Sequence, residues 1–115
     1  KSIAAERTFS KNISSEVFML ERLDKIAEEL EKRMMKSETK GKTITLKIKY
    51  SDFTQQTRSK TVQSFLQTKD EIMSIVKELV YQEKFKNSVR LLGISFSNLD
   101  TEKKDPVWVQ LKLEF

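Results

Sequence analysis

Cations and hydroxyls alternate along Thr57-Arg58-Ser59-Lys60-Thr61. An extended segment of this kind also offers backbone N–H groups, and together they suit phosphate oxygens. The charges attract, while hydroxyls and amides donate without reading any base. A second set lies nearby, where Thr43, Thr45, Lys47 and Lys49 interleave with Ile44, Leu46, Ile48 and Tyr50. Bond-making chemistry has much less to work with. The 115 residues include no His and no Cys, which excludes imidazole triads, thiol nucleophiles, disulfides and zinc sites built from those ligands. Metal-assisted phosphoryl transfer needs two ions about 3.5–4 Å apart on convergent carboxylates. The acids here fall on a solvated helix face, at helix caps (Asp70, Glu71), or between Asp100 and Asp105. Glu28 and Glu29 diverge as helix neighbours, and Glu6 and Asp52 stand alone. Gly41 and Gly93 are too far apart to make a phosphate loop. No residue is assigned to catalysis or to a metal.

Six elements are predicted to position these groups. Residues 1–13 read as a strand. A helix follows, capped by Ser14 or Ser15, and Met19, Leu23, Ile26, Leu30 and Met34 form its apolar stripe as far as about Lys36. After Gly41 the period changes to two, giving a strand over Ile44–Tyr50 with one buried and one basic face. Ser51–Thr54 is a turn and Gln55–Phe65 a more polar strand. Thr68 and Glu71 make a capping box for a second helix carrying Ile72, Ile75, Val76, Leu79 and Val80. Val89–Phe96 is rich in β-formers, Asn98–Pro106 has turn or linker composition, and the last nine residues alternate again. The fold class is α+β. A two-layer α/β sandwich satisfies the order β-α-β-β-α-β: a four-stranded, antiparallel-rich sheet with both helices on one face. Strand order is left open.

Charge is distributed unevenly. Overall the chain carries 22 Lys and Arg against 17 Asp and Glu, a net +5. The first helix is net acidic. Residues 36–60 hold seven bases (Lys36, Lys40, Lys42, Lys47, Lys49, Arg58, Lys60) against only Glu38 and Asp52, and Lys84, Lys86 and Arg90 add to them. With helices covering one side, the other side of the sheet is expected to be strongly positive. Such a face serves a nucleic acid, an acidic protein partner or plain solvation. A small RNA-binding domain fits less well, because the central strands lack stacking aromatics.

Three blocks in order resemble the C-terminal "little finger" domain of Y-family DNA polymerases, the bacterial DNA polymerase IV group in particular. They are Lys1-Ser2-Ile3-Ala4-Ala5-Glu6-Arg7-Thr8-Phe9-Ser10, then Thr45 to Phe53 with Thr57-Arg58-Ser59-Lys60-Thr61, then Val89-Arg90-Leu91-Leu92-Gly93-Ile94-Ser95-Phe96-Ser97-Asn98-Leu99. The resemblance implies a domain that lies along the major groove of template-primer duplex and grips its backbone, in a parent enzyme that performs error-prone translesion synthesis. It implies DNA contacts at Arg7, Thr8, Arg58, Ser59, Lys60, Thr61 and Arg90, to which the pattern of charges and hydroxyls adds Lys47, Lys49 and Thr57. A backbone binder of this kind is expected to neutralise about four to six phosphates. Ala4 stands where the family usually has Gly, and Lys60 keeps a charge but loses bidentate geometry. Leu91 and Ser95 occupy positions that some relatives make basic. No cofactor is expected in this stretch; Mg2+ belongs to the palm of the parent polymerase, which would precede Lys1. The chain begins at Lys1 rather than Met and is read as a piece of something longer.

Gln110-Leu111-Lys112-Leu113-Glu114-Phe115 looks like the peptide by which bacterial polymerases dock on the sliding clamp. Gln110 would be a polar anchor, and Leu111, Leu113 and Phe115 would fill apolar pockets. The alternative is an extra edge strand formed by Val107, Val109, Leu111 and Leu113. Residues 1–99 are therefore expected to be the little finger and 100–115 a clamp-docking tail. The expected partners are double-stranded template-primer DNA and the bacterial sliding clamp. The domain is expected to be a monomer with no membrane contact, in the cytoplasm and associated with the nucleoid.

Overall fold

The structure, a computed structural model, describes residues 2–100. Both helices form where the apolar spacing places them. Helix α1 (Glu16–Lys36) opens at Ser15, whose hydroxyl accepts the Phe18 N–H at 3.3 Å. It buries Met19, Leu23, Ile26, Leu30 and Met34, with Ala27 between them. The helix ends where Glu38 turns left-handed (φ 54°) and the Thr39 N–H donates to the Met34 carbonyl at 2.9 Å. Helix α2 (Lys69–Val80) carries the predicted capping box. Glu71 accepts the N–H groups of Gln67 at 2.9 Å and Thr68 at 3.2 Å, while its own N–H donates to the Thr68 hydroxyl. These backbone donors, that of Gln67 first, hold the Glu71 carboxyl below its ordinary titration range.

Strands β1 (Ile3–Ile13), β2 (Gly41–Tyr50), β3 (Gln55–Leu66) and β4 (Val89–Leu99) form one sheet in the order β1-β4-β2-β3, every neighbouring pair antiparallel. Helix α1 lies over β1 and β4, α2 lies over β2 and β3, and the helices pack on each other. The apolar parity of the central strands (Ile44, Leu46, Ile48, Tyr50; Leu92, Ile94, Phe96) faces them and is almost wholly buried. The predicted two-layer architecture is thus the observed one.

Two local features refine the sequence reading. Strand β4 continues past Phe96 to Leu99, so Asn98 belongs to the sheet although its φ is 53°. Its amide donates to the Thr43 hydroxyl at 2.6 Å, which holds this irregular end of the strand in place. Gly41 starts β2 because Phe96 packs on it: a Cβ there would lie 2.7 Å from Phe96 Cδ1. Gln110, Leu111, Leu113 and Phe115 lie outside the described residues, as does Trp108. No helix among the described residues is long and apolar enough to cross a membrane.

Candidate nucleic-acid interface

Paired residues in an antiparallel sheet share a face, so the register assigns each paired residue to the helix side or the open side. On β2 the open side receives Thr43, Thr45, Lys47 and Lys49. Across the ladder they meet Thr61, Ser59, Thr57 and Gln55 of β3 on one flank. On the other flank they meet Ser97, Ser95, Gly93 and Leu91 of β4. Thr8 joins this side through its pairing with Leu91. The hydroxyls pair up along the face: Thr43 with Thr61 at 2.7 Å, and Thr45 with Ser59 at 2.9 Å. Beside them β3 is an edge strand, hydrogen-bonded only to β2, so half of its backbone groups face outward.

Cations cluster towards one end of this face. Lys47 reaches Glu6 at 3.4 Å. Both residues sit opposite Gly93, one from each flanking strand, and the missing side chain at that position leaves the gap they bridge. Glu6 therefore does not stand alone, as its sequence setting suggested. At the end of the strands Lys49 and Arg90 both lie against the ring of Phe53, at 5.8 and 5.2 Å from its centroid. The sequence reading did not include Phe53 in the site.

The expectation that Arg58 and Lys60 share the open face is corrected. Arg58 pairs with Leu46 and Lys60 with Ile44, both core-facing positions. Arg58 is 5% exposed; its Nη1 donates to the carbonyls of Leu79 (2.8 Å) and Val80 (3.1 Å), and its guanidinium lies 5.0 Å from the Phe85 ring centroid. It closes the negative end of α2. Lys60 pairs with Glu78 of the same helix. Arg7, opposite Leu92, is also turned to the helix side. It bonds Glu29 of α1, which Arg33 holds from the other side at 2.6 Å. Slight burial raises the Glu29 pKa, but the hydrogen bonds from Arg33 and Arg7 outweigh it, and the net shift is downward. The structure thus gathers Thr8, Lys47, Lys49, Thr57, Ser59, Thr61 and Arg90, and sends Arg7, Arg58 and Lys60 elsewhere. In an extended strand Arg58 and Lys60 share a parity with Val62, which packs against the core. That shared parity was the available signal for their inward placement.

Among the described residues no group of three or more acids could hold a metal ion. What the face can do is present hydroxyls, three cations and a free strand edge to an extended anionic surface.

Comparison with known proteins gives the same direction. Residues 1–113 match the family model described as the impB/mucB/samB family C-terminal domain. Among curated relatives, DNA polymerase IV of Clostridium perfringens (strain SM101) is 48% identical over 101 residues, covering 87% of this chain and 28% of the relative. DNA polymerase IV of Akkermansia muciniphila is 36% identical over 115 residues, covering 99% of this chain and 32% of the relative. The chain thus spans about a third of the length of such relatives. A solved complex of the beta-clamp processivity factor with the little finger domain of PolIV superposes with TM-score 0.72 at 22% identity, covering 87% of this chain and 90% of that one. A post-insertion binary complex of Dbh DNA polymerase gives TM-score 0.63 at 17% identity, over 84% of this chain and 28% of that one. At such identities the structural likeness speaks for the fold.

Proposed function

The chain belongs to the impB/mucB/samB C-terminal domain family, the little finger of Y-family DNA polymerases, and from that premise we propose that its open sheet face grips duplex DNA by the sugar-phosphate backbone. The observation that carries the reading is the row Thr43, Thr45, Lys47, Lys49 on the helix-free face, flanked by Thr57, Ser59 and Thr61 of an edge strand. These groups donate to phosphate oxygens, and none is arranged as a base-reading pair. A domain that follows a moving template must tolerate every sequence, and backbone contact provides that tolerance.

Three cations, Lys47 and Lys49 on the open side and Arg90 beside Lys49 at the Phe53 ring, replace the larger set expected from sequence, so fewer phosphates are engaged. Each neutralised phosphate contributes about −0.9 to the slope of log affinity against log salt, giving a slope near −3. Fluorescence anisotropy of a labelled duplex, titrated between about 50 and 200 mM salt, tests this. A flat response, or a preference for single-stranded RNA, overturns the reading.

The parent chain is read as a translesion DNA-directed DNA polymerase whose metal-binding carboxylates lie in another domain. Residues 100–115 are read as its clamp-docking tail, with Gln110, Leu111, Leu113 and Phe115 as anchors. Support for this part comes from the family, since a clamp complex is known for a PolIV little finger of the same fold.

A further inference from the structure

The hairpin joining β2 to β3 turns on Ser51, Asp52 and Phe53. The Tyr50 carbonyl accepts the Phe53 N–H at 2.9 Å, and the Tyr50 N–H donates to the Thr54 carbonyl at 2.9 Å. This is a three-residue loop whose last position is left-handed, where glycine ordinarily sits. Here it holds phenylalanine at φ 71°, 64% exposed. A bulky side chain in that conformation is strained, and an exposed one recovers little from burial. The loop is nevertheless firmly built. Asp52 accepts the Thr54 N–H at 3.0 Å and its hydroxyl at 2.6 Å, and the Ser51 N–H donates to the Ser88 carbonyl at 2.9 Å.

The ring has two neighbours of the same sign. Lys49 Nζ lies 5.8 Å and Arg90 Cζ 5.2 Å from its centroid, within the range in which a π face attracts a cation. These residues come from two strands, and like charges would otherwise spread apart in water. One aromatic ring at the hairpin tip draws both to the end of the open face.

We propose that Phe53 is a positioning residue for DNA binding: its ring holds Lys49 and Arg90 together as a two-cation clasp for the phosphodiester backbone. The inference rests on the duplex-binding reading above and adds to it a residue with no charge or hydrogen-bonding group of its own. Backbone strain is kept because the ring, which glycine lacks, organises the two cations.

The test uses the 115-residue chain with a fluorescein-labelled DNA duplex and the variants Phe53→Tyr, Phe53→Leu and Phe53→Gly. Phe53→Tyr keeps the π face and binds as the unaltered chain does. Phe53→Leu and Phe53→Gly bind about three- to tenfold more weakly, the scale of lost cation–π contacts. Their salt slope stays nearly unchanged, because no charge has been removed. Phe53→Gly melts at or above the unaltered chain, since glycine relieves the strain. In a Lys49→Ala/Arg90→Ala background Phe53→Leu has no further effect. Wild-type affinity for Phe53→Leu overturns the clasp and leaves duplex binding standing. A lower melting temperature for Phe53→Gly that accounts for its weaker binding also overturns it, since the ring would then serve folding. An unaltered chain that binds no duplex overturns both readings.

Discussion

Arg58 Nη1 donates to the Leu79 carbonyl oxygen at 2.8 Å, from a strand on one side of the core to the last turn of a helix on the other. A cation expected to face a ligand instead ties the two layers together. With the second bond to Val80, it satisfies carbonyls that α2 leaves open at its C-terminus. Its burial is made tolerable by those acceptors and by the Phe85 ring.

Arg58→Ala should therefore act on stability. Removing the guanidinium strands two carbonyls and opens a cavity, at a cost of about 2–3 kcal/mol. Urea denaturation of the purified chain should show a lower midpoint with an unchanged slope. An Arg58→Ala chain of normal stability but weakened duplex binding would return this residue to the interface.

Lys49→Ala and Arg90→Ala should weaken binding to all duplex sequences by similar factors. Each should reduce the magnitude of the salt slope by about 0.9. Anisotropy titrations with several unrelated duplexes read both quantities. Loss confined to one sequence would point to base contact.

Stability should fall in acid partly through Glu71. Its folded-state pKa lies below the ordinary 4.5, so the carboxylate's contribution is present above that value and is lost as pH falls through the folded one. Denaturation midpoints of the unaltered chain and Glu71→Gln should differ near neutrality and converge once the pH has fallen below the lowered folded-state value. A gap that persists at low pH would place the effect in packing rather than charge.

Deleting Gln110–Phe115 should abolish capture by a bacterial sliding clamp in a pull-down and leave duplex affinity intact. The described body, residues 2–100, contains the whole candidate DNA face, so the two activities separate. Undiminished capture would remove the tail from the clamp contact.

Much of the architecture was legible beforehand, for physical reasons that can be named. Met19, Leu23, Ile26, Leu30 and Met34 recur at helical spacing, and a helix with one apolar stripe has one way to face a core. Ile44, Leu46, Ile48 and Tyr50 did the same for a strand, and Thr68 with Glu71 marked a helix start. The family blocks located the domain among known proteins. Asn98 was harder, because a residue with turn preferences closes β4 through one bond to Thr43.

By itself, then, the order of residues determined the six elements, the inner faces of helices and central strands, and the family. It left undecided which cations meet the open side. Alternation says that Arg58 and Lys60 share a face, but the face is chosen by register against β2, where they fall opposite Leu46 and Ile44. Strand β3 has little apolar patterning of its own to announce that choice. The bridge from Lys47 to Glu6 over Gly93, and the contact of Arg90 with the ring of Phe53, join residues far apart in the chain. Such pairings exist only once strands from both ends of the chain lie side by side in one sheet.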